Sequence, residues 1–189
     1  MRIISGKYKG RLIKMPAGIR PTQNKVRKAL FDILGDIQGL SFLELFSGSG
    51  AVGFEAVSRG VTDLTLVEYN PSCLMAIRKN IESLEPKACD VYPKEAGDAI
   101  EAFRKNKRKF DIIFLDPPYY RPEGHGLASF GQSHSQSHKE MSKKILQMLG
   151  AYDILAPNGF VVVQHFKKEQ LPKESGKLTL IKEARYGDT

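Results

Sequence analysis

The chain has 189 residues, two of them cysteine, and carries 29 Lys and Arg against 21 Asp and Glu, a net charge of +8. That length suits one domain with a modest appendage and a real hydrophobic core. No apolar run approaches the roughly 18 residues of a membrane span, the basic N-terminus lacks a signal-peptide core, and Cys73 and Cys89 suit neither a disulfide framework nor a zinc site. The expectation is a cytoplasmic enzyme in a reducing compartment, without metal or membrane.

Residues 1–19 read as a short β-hairpin, with Arg2-Ile3-Ile4 and Arg11-Leu12-Ile13-Lys14-Met15 as its arms and Ser5-Gly6-Lys7 at the turn. Arg20-Pro21-Thr22 leads into a helix with Thr22 as its cap and Val26, Leu30, Ile33, Leu34 and Ile37 at helical spacing. The first 31 residues hold nine cations and no acid: Arg2, Lys7, Lys9, Arg11, Lys14, Arg20, Lys25, Arg27 and Lys28. A one-signed patch neutralises phosphates and releases their counterions, which points to nucleic acid more than to a merely solvated surface. Lys25 and Lys28 fall off the apolar stripe, where a nucleic acid can reach them. Residues 1–38 are read as this basic extension and residues 39–189 as the core.

From Leu40 onward strands and helices alternate, the pattern of a mostly parallel sheet covered by helices on both faces. Residues 42–46 read as the first strand. Ser47-Gly48-Ser49-Gly50-Ala51-Val52-Gly53 follows, with glycines at the G-x-G-x-x-G spacing that brings backbone close to a ligand at a helix N-terminus. Nicotinamide and flavin enzymes share that spacing. Its partner is Glu68, ending a strand over 64–68, where an acid can accept the ribose hydroxyls of an adenosine-containing cofactor. A helix between Pro71 and Leu84 is expected to turn Leu74, Ile77 and Ile81 inward. A third strand near 89–92 precedes Gly97-Asp98-Ala99, which opens a further helix. Arg104-Lys105-Asn106-Lys107-Arg108-Lys109 is a second basic cluster, equally readable as nucleic-acid-binding or as solvated surface.

The apolar run 110–115 ends in Asp116-Pro117-Pro118-Tyr119. It reads as a buried parallel strand stopped by two prolines that cannot join a ladder and that stiffen the turn. The turn holds a carboxylate, fixed carbonyls and an aromatic ring at the carboxyl end of a strand, where open α/β sheets bind ligands. This grouping suits a grip on a flat base through its exocyclic amino group. A plain strand and proline-rich turn would account for these residues alone; the glycine loop and Glu68 favour the nucleoside reading. Residues 121–139, rich in Gly, Ser, Gln and His, read as a flexible loop and a candidate lid. His134 and His138 lack the carboxylate or cysteine that would complete a metal set. A fifth strand is expected over 159–164 and a last one over 178–181.

With both motifs placed, the chain resembles the S-adenosylmethionine-dependent methyltransferases of exocyclic amino groups. More narrowly, it resembles the bacterial 16S rRNA (guanine(966)-N(2))-methyltransferase family, where 966 numbers the RNA. The shared residues include Arg2-Ile3-Ile4-Ser5-Gly6, Lys9-Gly10-Arg11-Leu12, Arg20-Pro21-Thr22, Val26-Arg27, residues 29–34, Phe46 to Ala56, Glu68, Asp98 and Asp116 to Tyr119. The resemblance implies a class I, Rossmann-like methyltransferase with an RNA-binding N-terminal hairpin and helix. It implies that Glu44, Phe46, Ser47, Gly48 and Gly50 wrap S-adenosylmethionine, later S-adenosylhomocysteine. Glu68 would hold the ribose, Asp98 and Ala99 the adenine edge, and Asp116, Pro117, Pro118 and Tyr119 the target guanine. The implied partner is 16S rRNA, free or in a small-subunit assembly, acted on by a monomer. Three departures stand out. Asn24-Lys25 replaces the usual Asp-Arg, residues 121–139 are long and polar, and the family continues past the last residues here into an antiparallel strand beside strand five.

A guanine amino nitrogen is a poor nucleophile because its lone pair is delocalised into the ring. Acceptors at Asp116 and the Pro117 carbonyl can each take one N–H and aim that lone pair, while Tyr119 stacks on the base. The alternatives are an N6-adenine DNA methyltransferase, which the same four-residue motif permits, a nicotinamide oxidoreductase, and a non-catalytic ribosome-assembly protein that needs only the basic N-terminus.

Overall fold

Five short apolar runs line up as one parallel sheet in the order β3-β2-β1-β4-β5. The strands are β1 (Ser41–Leu45), β2 (Asp63–Val67), β3 (Cys89–Tyr92), β4 (Phe110–Leu115) and β5 (Leu155–Val163). The helices are α1 (Asn24–Leu34), α2 (Ala51–Ser58), α3 (Pro71–Leu84), α4 (Ala96–Lys105) and α5 (Met141–Ala151). This computed structural model describes residues 1–18, 22–118 and 141–186. The expected α/β architecture is present, with every pair in the five-stranded sheet parallel.

Alternation along β1 sorts the core into two layers. Phe42 packs with Leu64, Leu66, Ile112 and Phe114 beneath α1, α2 and α3. Leu43 and Leu45 pack with Val67, Phe110, Ile113 and Leu115 beneath α4 and α5. Strands buried on both faces carry apolar residues at successive positions, which explains the runs seen in the sequence. On α3 the buried positions are Cys73, Ala76, Ile77, Asn80 and Leu84, whereas Leu74 and Ile81 are only half-buried.

The N-terminal residues join this core. Ile3, Tyr8, Ile13, Leu30 and Phe31 lie in the same apolar cluster as Phe42 and Phe54. Instead of two hairpin strands there is one antiparallel bridge, Arg2 to Leu12, flanked by Ile3 N–H to Arg11 C=O (3.0 Å) and Ile13 N–H to Met1 C=O (2.8 Å). Pairing stops there because residues 4–8 bond to α2. Ile4 and Ser5 N–H donate to the Glu55 carboxylate, Lys7 N–H to Ser58 C=O and Tyr8 N–H to Ser58 Oγ. Gly6 makes the approach possible: a Cβ there would lie 1.7 Å from Ser58 O.

Several expected boundaries shift. Gln23, not Thr22, precedes α1, and it makes no side-chain cap; the Thr22 hydroxyl points elsewhere. Ile33 is 42% exposed, and Ile37 is buried beyond the helix end. β5 starts at Leu155, with an irregularity opposite Phe110–Ile112 that accommodates Asn158 at a positive φ. The last expected strand shrinks to β7 (Leu178–Thr179), paired only with β6 (Glu174–Ser175). That hairpin packs on the end of α5, where Gly150 and Gly176 backbones meet without room for a Cβ. Helix α5, with Ile145, Leu146 and Leu149 buried, is an addition to the elements expected between the polar stretch and β5. The expected 121–139 loop with His125, His134 and His138 lies outside the described residues.

Candidate active site

The register of the sheet builds the site. Leu45 stands opposite both Val67 and Leu115, and Val67 opposite Tyr92. Phe46, Glu68 and Asp116 therefore leave the sheet at one level, on the carboxyl edge. The glycine loop, the acid after β2 and the aspartate after β4, far apart in sequence, converge there.

Each has a local reason for its shape. Ser47 closes β1: its N–H donates to Val67 C=O, its one O–H is shared between Glu44 C=O (2.7 Å) and Val67 C=O (3.0 Å), and its Oγ accepts from Val67 N–H (3.0 Å). The chain then turns through positive φ at Phe46, Gly48 and Gly50 to start α2. The glycines differ in purpose. A Cβ on Gly50 or Gly53 would press on Phe54, Leu64, Leu66 or Glu44, so these two let α2 sit close on the sheet. A Cβ on Gly48 would meet no atom within 4 Å. Gly48 is the glycine that faces open space.

Glu44 is 3% exposed, and its Oε2 accepts from Gly53 N–H at 2.8 Å, inside the first turn of α2. Its carboxyl is raised to about 8: burial pushes it up most, the Gly53 and Val52 N–H groups pull it down, and the charges of Asp116 and Glu68 push it up. Glu68 is held by three backbone donors: Gly48 N–H at 2.7 Å, Tyr69 at 2.9 Å and Asn70 at 2.8 Å. It thus grips the glycine loop directly. Asp116 is half-buried and its Oδ2 accepts from the Thr22 hydroxyl at 3.2 Å. Pro117 is buried and Pro118 exposed; Tyr119 lies outside the described residues.

Asp98 is exposed in the first turn of α4, at the end of the helix that favours negative charge. Ala99 departs from expectation. Its side chain is fully buried and its N–H bonds to Glu95 C=O within the helix. No group of three or more metal-ligating side chains occurs among the described residues, and no described helix is long and apolar enough to cross a membrane. Cys73 and Cys89 are free thiols, each pushed up to about 12 by burial.

The basic residues divide. Arg2, Lys7, Lys9, Arg11, Lys14 and Lys25 are exposed, and Lys28 is exposed but paired with Asp32 at 2.6 Å. Arg20 lies outside the described residues. Arg27 is corrected: it is fully buried, faces Glu55 at 3.7 Å and donates to Arg2 C=O and Asn24. It cannot meet an RNA phosphate. The second cluster is structural in its bonded members: Arg104 pairs with Glu101, Arg108 with Asp63 and Asp90, and Lys109 with Asp153. It precedes β4 and so sits at the amino edge, opposite the site.

Two links were missed in the sequence. The Thr22–Asp116 bond is one. The other is Asn80, whose buried amide donates to Lys14 C=O and Ser49 C=O (both 3.0 Å) and accepts from Lys14 N–H (2.7 Å). A polar residue at Asn80, on the stripe of Cys73, Ile77 and Leu84, was the available signal for the second.

Residues 1–129 match the family model described as Conserved hypothetical protein 95. The chain belongs to this family. The match takes in the basic extension, the glycine loop, Glu68 and Asp116 to Tyr119. Among curated relatives, YlbH of Bacillus subtilis, named as a candidate rRNA methyltransferase, is 34% identical over 100% of this chain and 95% of its own. Ribosomal RNA small subunit methyltransferase D of Haemophilus influenzae is 28% identical over 99% and 89%. Among solved structures, Escherichia coli yhhF, described as a candidate methyltransferase, superimposes with a TM-score of 0.76 at 27% identity, covering 100% of this chain and 93% of that one. The fold is that of the class I methyltransferases.

Proposed function

We propose that the protein transfers a methyl group from S-adenosylmethionine to the N2 amino group of a guanine in 16S rRNA, of the guanine-966 type. The carrying observation is the register that releases the glycine loop, Glu68 and Asp116 at one level of the sheet. The family's rRNA-methylating relatives support the RNA target.

The residues fit the cofactor. Gly48 leaves open the space a side chain would fill, and Glu68 stands beside it. A carboxylate offers about four lone-pair directions. With three backbone donors in place, Glu68 keeps room for one ribose hydroxyl, and Gly48 is the donor a second hydroxyl would replace. The carboxylates of Glu68 and Asp116 favour a cation. S-adenosylmethionine supplies a methyl group on a positively charged sulfur, which an amine nitrogen can take.

In this reading Asp116 and the Pro117 carbonyl accept the two amino N–H bonds, turning the nitrogen lone pair toward the methyl carbon. As the N–C bond forms and the S–C bond breaks, positive charge grows on nitrogen beside Asp116, which then accepts the departing proton. The proline pair fixes the acceptors in advance, reducing the ordering needed when the base arrives. Tyr119 stacks on the base. A paired guanine cannot present its amino group this way, so the target is flipped or single-stranded. Arg2, Lys7, Lys9, Arg11, Lys14, Arg20, Lys25 and Lys28 supply the phosphate contacts of the extension.

The test is methyl transfer from labelled S-adenosylmethionine to unmodified small subunits, naked 16S rRNA and DNA, with the labelled nucleoside identified by chromatography. N2-methylguanosine in the subunit or its RNA is expected; N6-methyladenine in DNA would overturn the target. Asp116→Ala should abolish transfer with cofactor affinity near wild type, and equal loss of both would make Asp116 a cofactor ligand instead.

A further inference from the structure

Thr22 sits two residues before α1, in the basic extension, one position ahead of the capping residue. The residue next to the helix is Gln23, which makes no side-chain cap, and the Thr22 hydroxyl donates to Asp116 Oδ2 at 3.2 Å, across 94 residues of sequence.

We infer that Thr22 is a positioning residue for methyl transfer: its hydroxyl fixes the Asp116 carboxylate in the orientation that receives the target amino group. The inference rests on the proposed role of Asp116 as amino acceptor.

The terminal torsion of an aspartate is soft, with broad preferences. A donor anchored on a different element narrows that freedom before the base arrives, and productive geometry tolerates little error. Asp116 takes the Thr22 O–H at Oδ2, and a carboxylate keeps further lone-pair directions for an amino N–H. Finally, Thr22 lies just ahead of the helix carrying Lys25 and Lys28, so the carboxylate is braced by the part of the protein nearest the proposed RNA. The same extension reaches the glycine loop through Asn80 and through Met15, whose sulfur accepts from Ser49 Oγ at 3.0 Å. One basic segment thus touches both halves of the site.

The experiment compares Thr22→Val, which keeps the branched shape and removes the donor, with Thr22→Ser, which keeps the donor. Single-turnover methyl transfer is measured at saturating 16S rRNA or subunit and saturating S-adenosylmethionine, with binding of each and thermal melting followed separately. Thr22→Val should slow the chemical step by about tenfold to a hundredfold while both affinities stay within about twofold, and Thr22→Ser should restore most of the rate. A wild-type rate in Thr22→Val overturns the inference, as does a Thr22→Ser as slow as Thr22→Val, or a defect confined to RNA affinity. If Thr22→Val melts early, Thr22→Ser against Thr22→Ala at a temperature where all are folded makes the same comparison. Asp116→Ala in parallel separates the two failures. An active Asp116→Ala removes the acceptor role itself, whereas an inactive one beside a normal Thr22→Val removes only the role of Thr22.

Discussion

Arg27 and Glu55 face each other inside the protein, Nε to Oε2 at 3.7 Å, with neither side chain exposed to solvent. Glu55 also accepts from Arg59 Nε at 2.9 Å and from the Ile4 and Ser5 amides, while Arg27 reaches the Arg2 carbonyl. The basic extension and one helix of the catalytic core are therefore held by a single buried ionic group. Burial lowers the Arg27 guanidinium below its ordinary range, and the Glu55 and Glu44 charges oppose that shift.

Removing one side of this pair leaves the other as an uncompensated buried charge. Arg27→Ala or Glu55→Ala should each destabilise the fold by about 3–5 kcal/mol. Urea unfolding measures this, and a change below about 1 kcal/mol would mean that water enters and solvates the remaining charge.

The exposed cations should behave differently. Lys7→Ala, Lys9→Ala and Lys14→Ala should each weaken RNA binding, with little effect on melting. The slope of log affinity against log salt should become shallower by about 0.7 for each phosphate no longer neutralised. A conservative Arg27→Lys protein that remains folded should keep the full slope. Filter binding across a salt series distinguishes the groups, and unchanged slopes for all three lysines would move the RNA elsewhere.

Glu44 gives a pH dependence whose sign follows from burial. With its carboxyl raised from 4.5 to about 8, the folded protein holds a proton that the unfolded chain releases. The stabilising contribution is complete below the unfolded value and is lost as pH rises through the folded one. Glu44→Gln keeps an acceptor for Gly53 N–H and removes the titration. Its stability should fall less steeply from pH 5 to 8, by up to about 1.4 kcal/mol per pH unit. Urea midpoints at several pH values test this; parallel curves for both proteins would show that Glu44 is solvated.

The two kinds of glycine predict separable defects. Gly53→Ala puts a Cβ 2.7–2.8 Å from Leu64, Glu44 and Leu66, so it should cost about 1–3 kcal/mol of stability. Gly48→Ala meets no neighbour; it strains a φ of +56° and projects into the proposed cofactor space. It should reduce S-adenosylmethionine affinity by far more than stability. Calorimetric binding beside thermal melting reads both, and normal cofactor binding by Gly48→Ala would move the cofactor away from this loop.

The chain by itself determined the elements whose cause is local. Apolar runs such as 110–115 declare buried strands because both faces of a parallel sheet are covered. Glycine spacing after β1 and the proline pair after β4 declare the turns, because only those residues set those backbone angles or remove those donors. Glu68 and Asp116 were legible because each ends such a run. Tertiary structure decided what depends on partners distant in sequence. Arg27 looks like its exposed neighbours Lys25 and Lys28, and only the position of Glu55 makes it internal. Thr22 looks like a helix cap until β4 brings Asp116 within reach of its hydroxyl. Arg108 reads equally as a nucleic-acid contact or as solvated surface until Asp63 and Asp90 are seen to pair with it at the amino edge. Composition fixes how many charges a chain carries; the fold alone fixes which of them face water and which face each other.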